Sequence, residues 1–312
     1  MDNENKYAPV ILFTYARPIH MRQVLDALAK NSLADKSRLF IFCDGAKGKK
    51  DFENNARVKE LIIEEQKKHR FLDVIVNLSD INNGLAKSII TGASSVIDKY
   101  GRCIVIEDDV ITGKYFLAFM NECLDYYNND SKIFAISGFT YDLPAFKNYH
   151  HDVYLSYRAC SYAWATWKNR WKLVDWEVKD YKEFIQSPDR IKKFNRGGND
   201  LTRMLRHQMR GERNSWAIRW CYAQSKYDLY AIYPTKSLIK NIGYDETATN
   251  CTKNANRGHR VDFAETIELH PAKISLNDKI INDFKKMFKI GFYDSLEWLI
   301  NKIRQHLSIF SR

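Results

Sequence analysis

An α/β fold, with a mostly parallel sheet flanked by helices, is what this 312-residue sequence predicts, on three observations. Short, wholly apolar runs recur through the first hundred residues. A stretch with helical periodicity separates each run from the next. Each run hands over to polar residues at its carboxyl end.

Residues 9–14 (PVILFT) are the first buried strand. Arg17-Pro18 then opens a helix over 20–30, with Met21, Val24, Leu25 and Leu28 on one face. Residues 38–43 (RLFIFC) are the second strand, closed by Asp44-Gly45, and a charged helix follows over 52–69. Residues 72–77 (LDVIVN) are the third strand and 84–100 a helix. Residues 102–106 (RCIVI) are the fourth strand, which runs straight into Glu107, Asp108 and Asp109. Strands separated by helices make βαβ units with helices on both faces of a parallel sheet. Ligands of such sheets bind beyond the carboxyl ends of the strands. Here those ends carry residues 14–17, Asp44, residues 77–84 and the three acids, all on one rim.

The second half changes character. Residues 133–137 read as another strand, before a Tyr- and Trp-rich stretch over 154–176. The turn NRGGN precedes a helix over 200–209, residues 216–226 form another, 230–233 a short strand, and 240–260 a polar loop. Trp164, Trp167 and Trp171 stand at helical spacing and read as core before they read as a sugar platform. The length suits one large domain over 1–265 and a helical tail over 266–312. In residues 279–312 the apolar positions fall mainly on one face, and seven Lys or Arg outnumber three Asp or Glu. A basic amphipathic helix of this kind suits an anionic membrane surface or a packed helix with a solvated basic face.

The net charge of +11 attracts phosphates, nucleic acid or anionic lipid. No RNA-binding signature or basic-aromatic repeat accompanies it, so nucleic acid is not an expected partner. Six scattered cysteines without a CxxC pair suit a reduced chain, and the polar, acidic N-terminus is unlike a signal peptide. No apolar run approaches the ~20 residues of a membrane span. The expected place is the cytoplasm, with peripheral contact at the inner face of the plasma membrane.

Acids delivered by a buried strand are costly unless something neutralises them. Glu107, Asp108 and Asp109 repel one another, and a divalent cation resolves that repulsion. Hard oxygen donors suit Mg2+ or Mn2+, which keep positions for phosphate oxygens and water. Arg17 at a strand end offers a guanidinium fork to a diphosphate. Asp44 can accept from a base N–H, and Lys87, after Asn83-Gly84, can reach a phosphate.

PVILFTYARP, FCDG, NxGLAKS and EDDVITGKYF together resemble the GT-A glycosyltransferases, whose sheet is Rossmann-like. The resemblance is to bacterial family 2-type sugar transferases and, distantly, to N-acetylglucosaminyltransferase I; it covers most of residues 8–251. It implies inverting transfer of a sugar from a nucleotide sugar, typically a UDP-sugar, to a glycan or lipid-linked glycan in bacterial surface polysaccharide synthesis. It implies Asp109 as metal ligand, Asp108 as donor contact, Arg17 as nucleotide contact and Asp44 as base contact, with Thr14 and Glu107 lining the same donor site.

An inverting transferase needs a carboxylate to take the acceptor's proton. Asp200, opening a helix after the Trp-rich segment, is the first candidate and also a good helix cap; Asp142, Asp245 and Glu246 are the others. The segment 241–251 corresponds to the family's donor-closing loop, with Gly243 as hinge and Thr249 and Asn250 as phosphate contacts. His259 and His270 read as surface residues before they read as metal ligands. Two other readings compete: a sugar-nucleotide nucleotidyltransferase, whose Gly-rich basic loop is absent after the first strand, and a non-enzymatic anionic-lipid or nucleic-acid binder.

Overall fold

A computed structural model describes residues 6–244, 261 and 263–288. The first four strands are β1 (Val10–Thr14), β2 (Arg38–Cys43), β3 (Asp73–Leu78) and β4 (Arg102–Glu107), separated by α1 (Pro18–Ala29), α2 (Lys49–Gln66) and α3 (Leu85–Tyr100). Pro18 occupies the first helical position of α1, where a missing N–H costs nothing. All five residues of β1 are buried, as a strand covered on both faces requires.

A two-residue turn, Asp108-Asp109, joins β4 to β5 (Val110–Thr112), and α4 (Phe116–Tyr126) and β6 (Ile133–Ser137) follow. Then come β7 (Val153–Ser156), β8 (Ala163–Trp167), and the helices α5 (Lys168–Trp171), α6 (Tyr181–Gln186), α7 (Pro188–Phe194), α8 (Leu201–Met209) and α9 (Trp216–Lys226). Two strands, β9 (Tyr230–Pro234) and β10 (Ile239–Asn241), and the helix α10 (Asp278–Lys286) complete the described elements.

Eight strands form one sheet in the order β3-β2-β1-β4-β8-β6-β9-β7. The pairings β3-β2-β1-β4 and β6-β9 are parallel; β8 and β7 run against their neighbours. The sheet is thus α/β and mostly parallel, as expected. Residues alternate between its faces. Val10, Leu12, Ile104 and Ile106 join one core with α1, α2 and α4. Ile11, Phe13, Cys103 and Val105 join the other with α3, α8 and α9.

Two segments show which of their open readings holds. Trp164 and Trp167 lie on a strand, not a helix, and face opposite cores. Trp164 stacks on Trp171 at 5.3 Å and packs against Trp216 and Trp220, while Trp167 Nε1 donates to the Leu124 carbonyl at 3.1 Å. All three are core, with no ring left for a sugar. The second is the start of the tail. Ile280 and Phe284 of α10 are almost wholly buried in the same core as β7 and α4, so the described part of this segment turns its apolar side inward. Residues 289–312 lie outside the described residues. Among the described residues, no helix is long and apolar enough to cross a membrane.

Candidate functional site

β1 lies between β2 and β4. The chain leaves β1 toward β2 and β3, then crosses back to β4, so the direction of winding reverses between β1 and β4. A crevice opens beyond the carboxyl ends of two strands so placed. Arg17 stands at the end of β1 and the three acids at the end of β4, on the two sides of that crevice.

Arg17 precedes α1 and Pro18, which turns its side chain across to β4. Its Nη2 donates to Asp108 Oδ1 at 2.5 Å and to Asp109 Oδ2 at 3.1 Å. Thr14 Oγ1 and the Tyr15 N–H donate to Asp108 Oδ2 at 2.9 and 3.1 Å. Asp108 is therefore buried and bonded on both oxygens, stitching the end of β1 to that of β4. Among the described residues, no hydrogen-bond donor reaches the Glu107 carboxylate.

Three carboxylates share one guanidinium, and the electrostatics show the shortfall. Burial pushes the Glu107 carboxyl well above the carboxylate range; the charges of Asp109 and Asp108 add to this, and Arg17 offsets only part. Burial also raises Asp109, against Arg17's pull. Burial would lower Arg17, but the two aspartates outweigh it and hold the guanidinium above its ordinary value. Among the described residues no three His, Cys, Asp or Glu side chains enclose an ion. Asp109 and Glu107 are hard oxygen donors of the type Mg2+ and Mn2+ take singly or in pairs when water and phosphate fill the other positions.

A second strand pair covers Asp109. β5 pairs antiparallel with β10, and beyond β10 the Ile242 N–H donates to the Asp109 carbonyl at 2.8 Å. The Gly243 N–H turns back to Asn241 Oδ1 at 2.7 Å, and His20 of α1 lies 3.3 Å from the Ile242 carbonyl through Nε2. A β-carbon on residue 243 would stand 2.9 Å from both Cβ and Cγ of Asp109, so only glycine allows this approach. The Tyr244 hydroxyl meets that of Tyr162 at 3.0 Å, just before β8 begins at Ala163. Thr249, Asn250, Asp245, Glu246 and His259 lie outside the described residues.

Asp44, past β2, lies on the neighbouring part of the rim. Its carboxylate accepts from the Asn83 N–H at 2.9 Å, the Gly84 N–H at 2.8 Å and Asn83 Nδ2 at 3.3 Å. It thereby holds the β3–α3 turn, in which Gly84 adopts φ 78°, a conformation glycine takes without strain. The first turn of α3 has no side-chain cap and no acid, and exposed Lys87 stands in it. Free N–H groups and a lysine at a helix start favour an anion.

Asp200 has other business. Both its oxygens accept from Arg158, at 2.8 and 3.1 Å, and the Arg158 guanidinium lies 3.8 Å above the Phe288 ring. Its contacts are with the segment between β7 and β8, not with Arg17 or the acids. Asp142, in the turn after β6, is exposed. His270 pairs with Glu122 of α4 at 2.9 Å, away from the acid cluster.

Two rim residues had no role assigned from the sequence. Buried Asn55 of α2 donates through Nδ2 to the carbonyls of Tyr15 at 2.7 Å and Asp44 at 2.9 Å, tying β1's end to β2's. The Tyr15 hydroxyl donates to Asp51 at 2.9 Å and accepts from the Lys47 N–H at 2.6 Å. A visible signal for Asn55 is its place on the apolar stripe of α2, with Val58, Leu61 and Ile62. Tyr15 offers none.

No protein-family model matches the chain, and no curated protein matches it.

Proposed function

We propose that this chain is a metal-dependent GT-A glycosyltransferase that moves a sugar, with inversion, from a UDP-sugar to a glycan or lipid-linked glycan in bacterial surface polysaccharide synthesis. One observation carries the reading: three carboxylates gather at the β1/β4 crevice, and among the described residues Arg17 is the one cation paired with any of them. Among the described residues the site holds more negative than positive charge, and it sits where α/β sheets bind ligands.

Asp109 and Glu107 hold Mn2+ or Mg2+ in this reading. The cation, when bound, supplies Lewis-acid stabilisation to the departing nucleoside diphosphate. Arg17 exchanges part of its contact with the acids for the diphosphate, which its planar fork can grip. The uncapped start of α3, with Lys87, offers further positive potential to the phosphates. Asp44, fixed by the Asn83 and Gly84 amides, keeps lone pairs for a base N–H. Asp108, bonded to Thr14, Tyr15 and Arg17, holds the crevice walls together and orients the donor beside them. Gly243 lets the 241–244 segment close over Asp109 and exclude water from the donor. For the acceptor's proton, exposed Asp142 is unencumbered, whereas Asp200 would first have to leave Arg158. In this reading the site works at the cytoplasmic face of the plasma membrane.

A thermal-shift screen of nucleotide sugars with and without Mn2+ tests the proposal. Metal-dependent stabilisation by uridine nucleotides, absent in Asp109→Asn, supports it. Release of pyrophosphate instead of nucleoside diphosphate would make the chain a nucleotidyltransferase.

A further inference from the structure

Soluble domains scatter their exposed apolar side chains; a cluster around one opening marks a contact surface. The most exposed large apolar side chains of the described residues are Ile19, Ile81 and Phe52, at 72%, 67% and 65%. All three lie on the rim that carries the acid cluster, and Leu85 joins them. Each is within two residues of the bonded platform described above. Ile19 follows Arg17-Pro18, Phe52 follows Asp51, and Leu85 follows Gly84. The Ile81 carbonyl itself accepts from the Gly45 N–H at 3.0 Å. The apolar tips thus stand on three adjacent βα connections that hydrogen bonds hold in one piece.

Their surroundings are basic. Lys47, Lys49 and Lys50 approach and open α2, and Lys87 opens α3; all four are exposed. Of the acids beside them, Glu53 is paired with Arg57 at 2.6 Å, while Asp51, which accepts from the neutral Tyr15 hydroxyl, and exposed Asp80 keep their charge, so four lysines outnumber two acids on these turns. Apolar tips among lysines, at the positive ends of helices, match a bilayer with anionic headgroups: the tips enter the acyl boundary and the lysines stay at headgroup level. The described part of the tail offers no such face, because Ile280 and Phe284 are spent on the core.

We propose that the rim formed by Ile19, Phe52 and Ile81, with its lysines, docks on an anionic lipid surface, so that the β1/β4 crevice opens at the membrane. In purpose this rests on the transferase reading, since it supplies a lipid-linked acceptor at the site; its evidence is independent of that reading.

Full-length protein is sedimented with vesicles of phosphatidylcholine alone or mixed with phosphatidylglycerol. Wild type should pellet with the mixed vesicles and far less with the neutral ones. The Ile19→Ser/Phe52→Ser/Ile81→Ser variant should lose on the order of tenfold or more in vesicle affinity, while its thermal melt and its uridine diphosphate–Mn2+ shift stay those of wild type. Asp109→Asn should still bind vesicles. A companion variant, Lys302→Gln/Arg304→Gln, should bind as wild type does. Undiminished binding by the rim variant, or loss confined to the tail variant, would overturn the proposal. So would a rim variant that changes only oligomeric state, which would assign the face to a second copy. Vesicle binding without nucleotide binding would keep the docking surface and remove the transferase.

Discussion

Gly243 lies against Asp109 so closely that residue 243 can carry no side chain, and the adjacent Ile242 N–H is bonded to the Asp109 carbonyl. The main chain past β10 is thus seated on the acid proposed to hold the cation. Gly243→Ala should force either Asp109 or this segment to move. Overpacking of this kind costs about 1–3 kcal/mol, seen as a lower melting temperature. The same variant should lose Mn2+-dependent nucleotide binding.

Arg17 supplies the only described charge partner of Asp108 and Asp109. Arg17→Met leaves three acids without a cation and should destabilise the fold by about 3 kcal/mol, as loss of one partner of a buried pair does. Mn2+ should restore more stability to this variant than it adds to wild type, because it replaces the missing charge. Melting curves with and without the metal check this.

The Arg158–Asp200 pair separates anchoring from catalysis. Burial would lower the Arg158 guanidinium, but Asp200 outweighs it and raises it. Asp200→Asn should lower the melting temperature and leave donor binding intact. Asp142→Asn should leave both intact and slow transfer by about 100-fold or more, the usual contribution of a general base. A transfer assay alongside binding assigns the proton acceptor.

The five described cysteines are buried. Burial pushes the Cys43 thiol up to about 12 and raises Cys103 and Cys123 as well. Thiolate is the reactive form, so these groups should resist alkylation at neutral pH. A thiol titration of native protein should count at most one fast group, and all six after unfolding in guanidinium.

The Glu122 hydrogen bond raises His270 above its ordinary value, with burial opposing weakly. A raised folded value means the contact stabilises at pH below the unfolded value and is lost as pH climbs through the folded one. Histidine NMR titration should show His270 moving down in Glu122→Gln.

The parallel half of the sheet was legible because wholly apolar runs of five or six residues between helices admit one arrangement. That arrangement brings Thr14, Arg17, Asp44 and the three acids to a common rim. The other half depends on pairing at long range. Nothing local in AWATW shows that it inserts antiparallel between β4 and β6. Spacings of three and seven suit a helix, yet Trp164 and Trp167 sit on opposite faces of a strand. Asp200 read as a base or a helix cap because Arg158, its partner, is 42 residues away; it makes no side-chain cap bond. The tail's periodicity revealed an apolar face but not what covers it, and for Ile280 and Phe284 the cover is the core.

Isothermal titration of uridine diphosphate into the full-length protein with Mn2+ present, repeated on Asp109→Asn, probes the β1/β4 crevice most directly. The account predicts saturable binding that needs the metal and disappears in the variant. Folded wild type that takes up neither Mn2+ nor the nucleotide, or a variant that binds both unchanged, would contradict it.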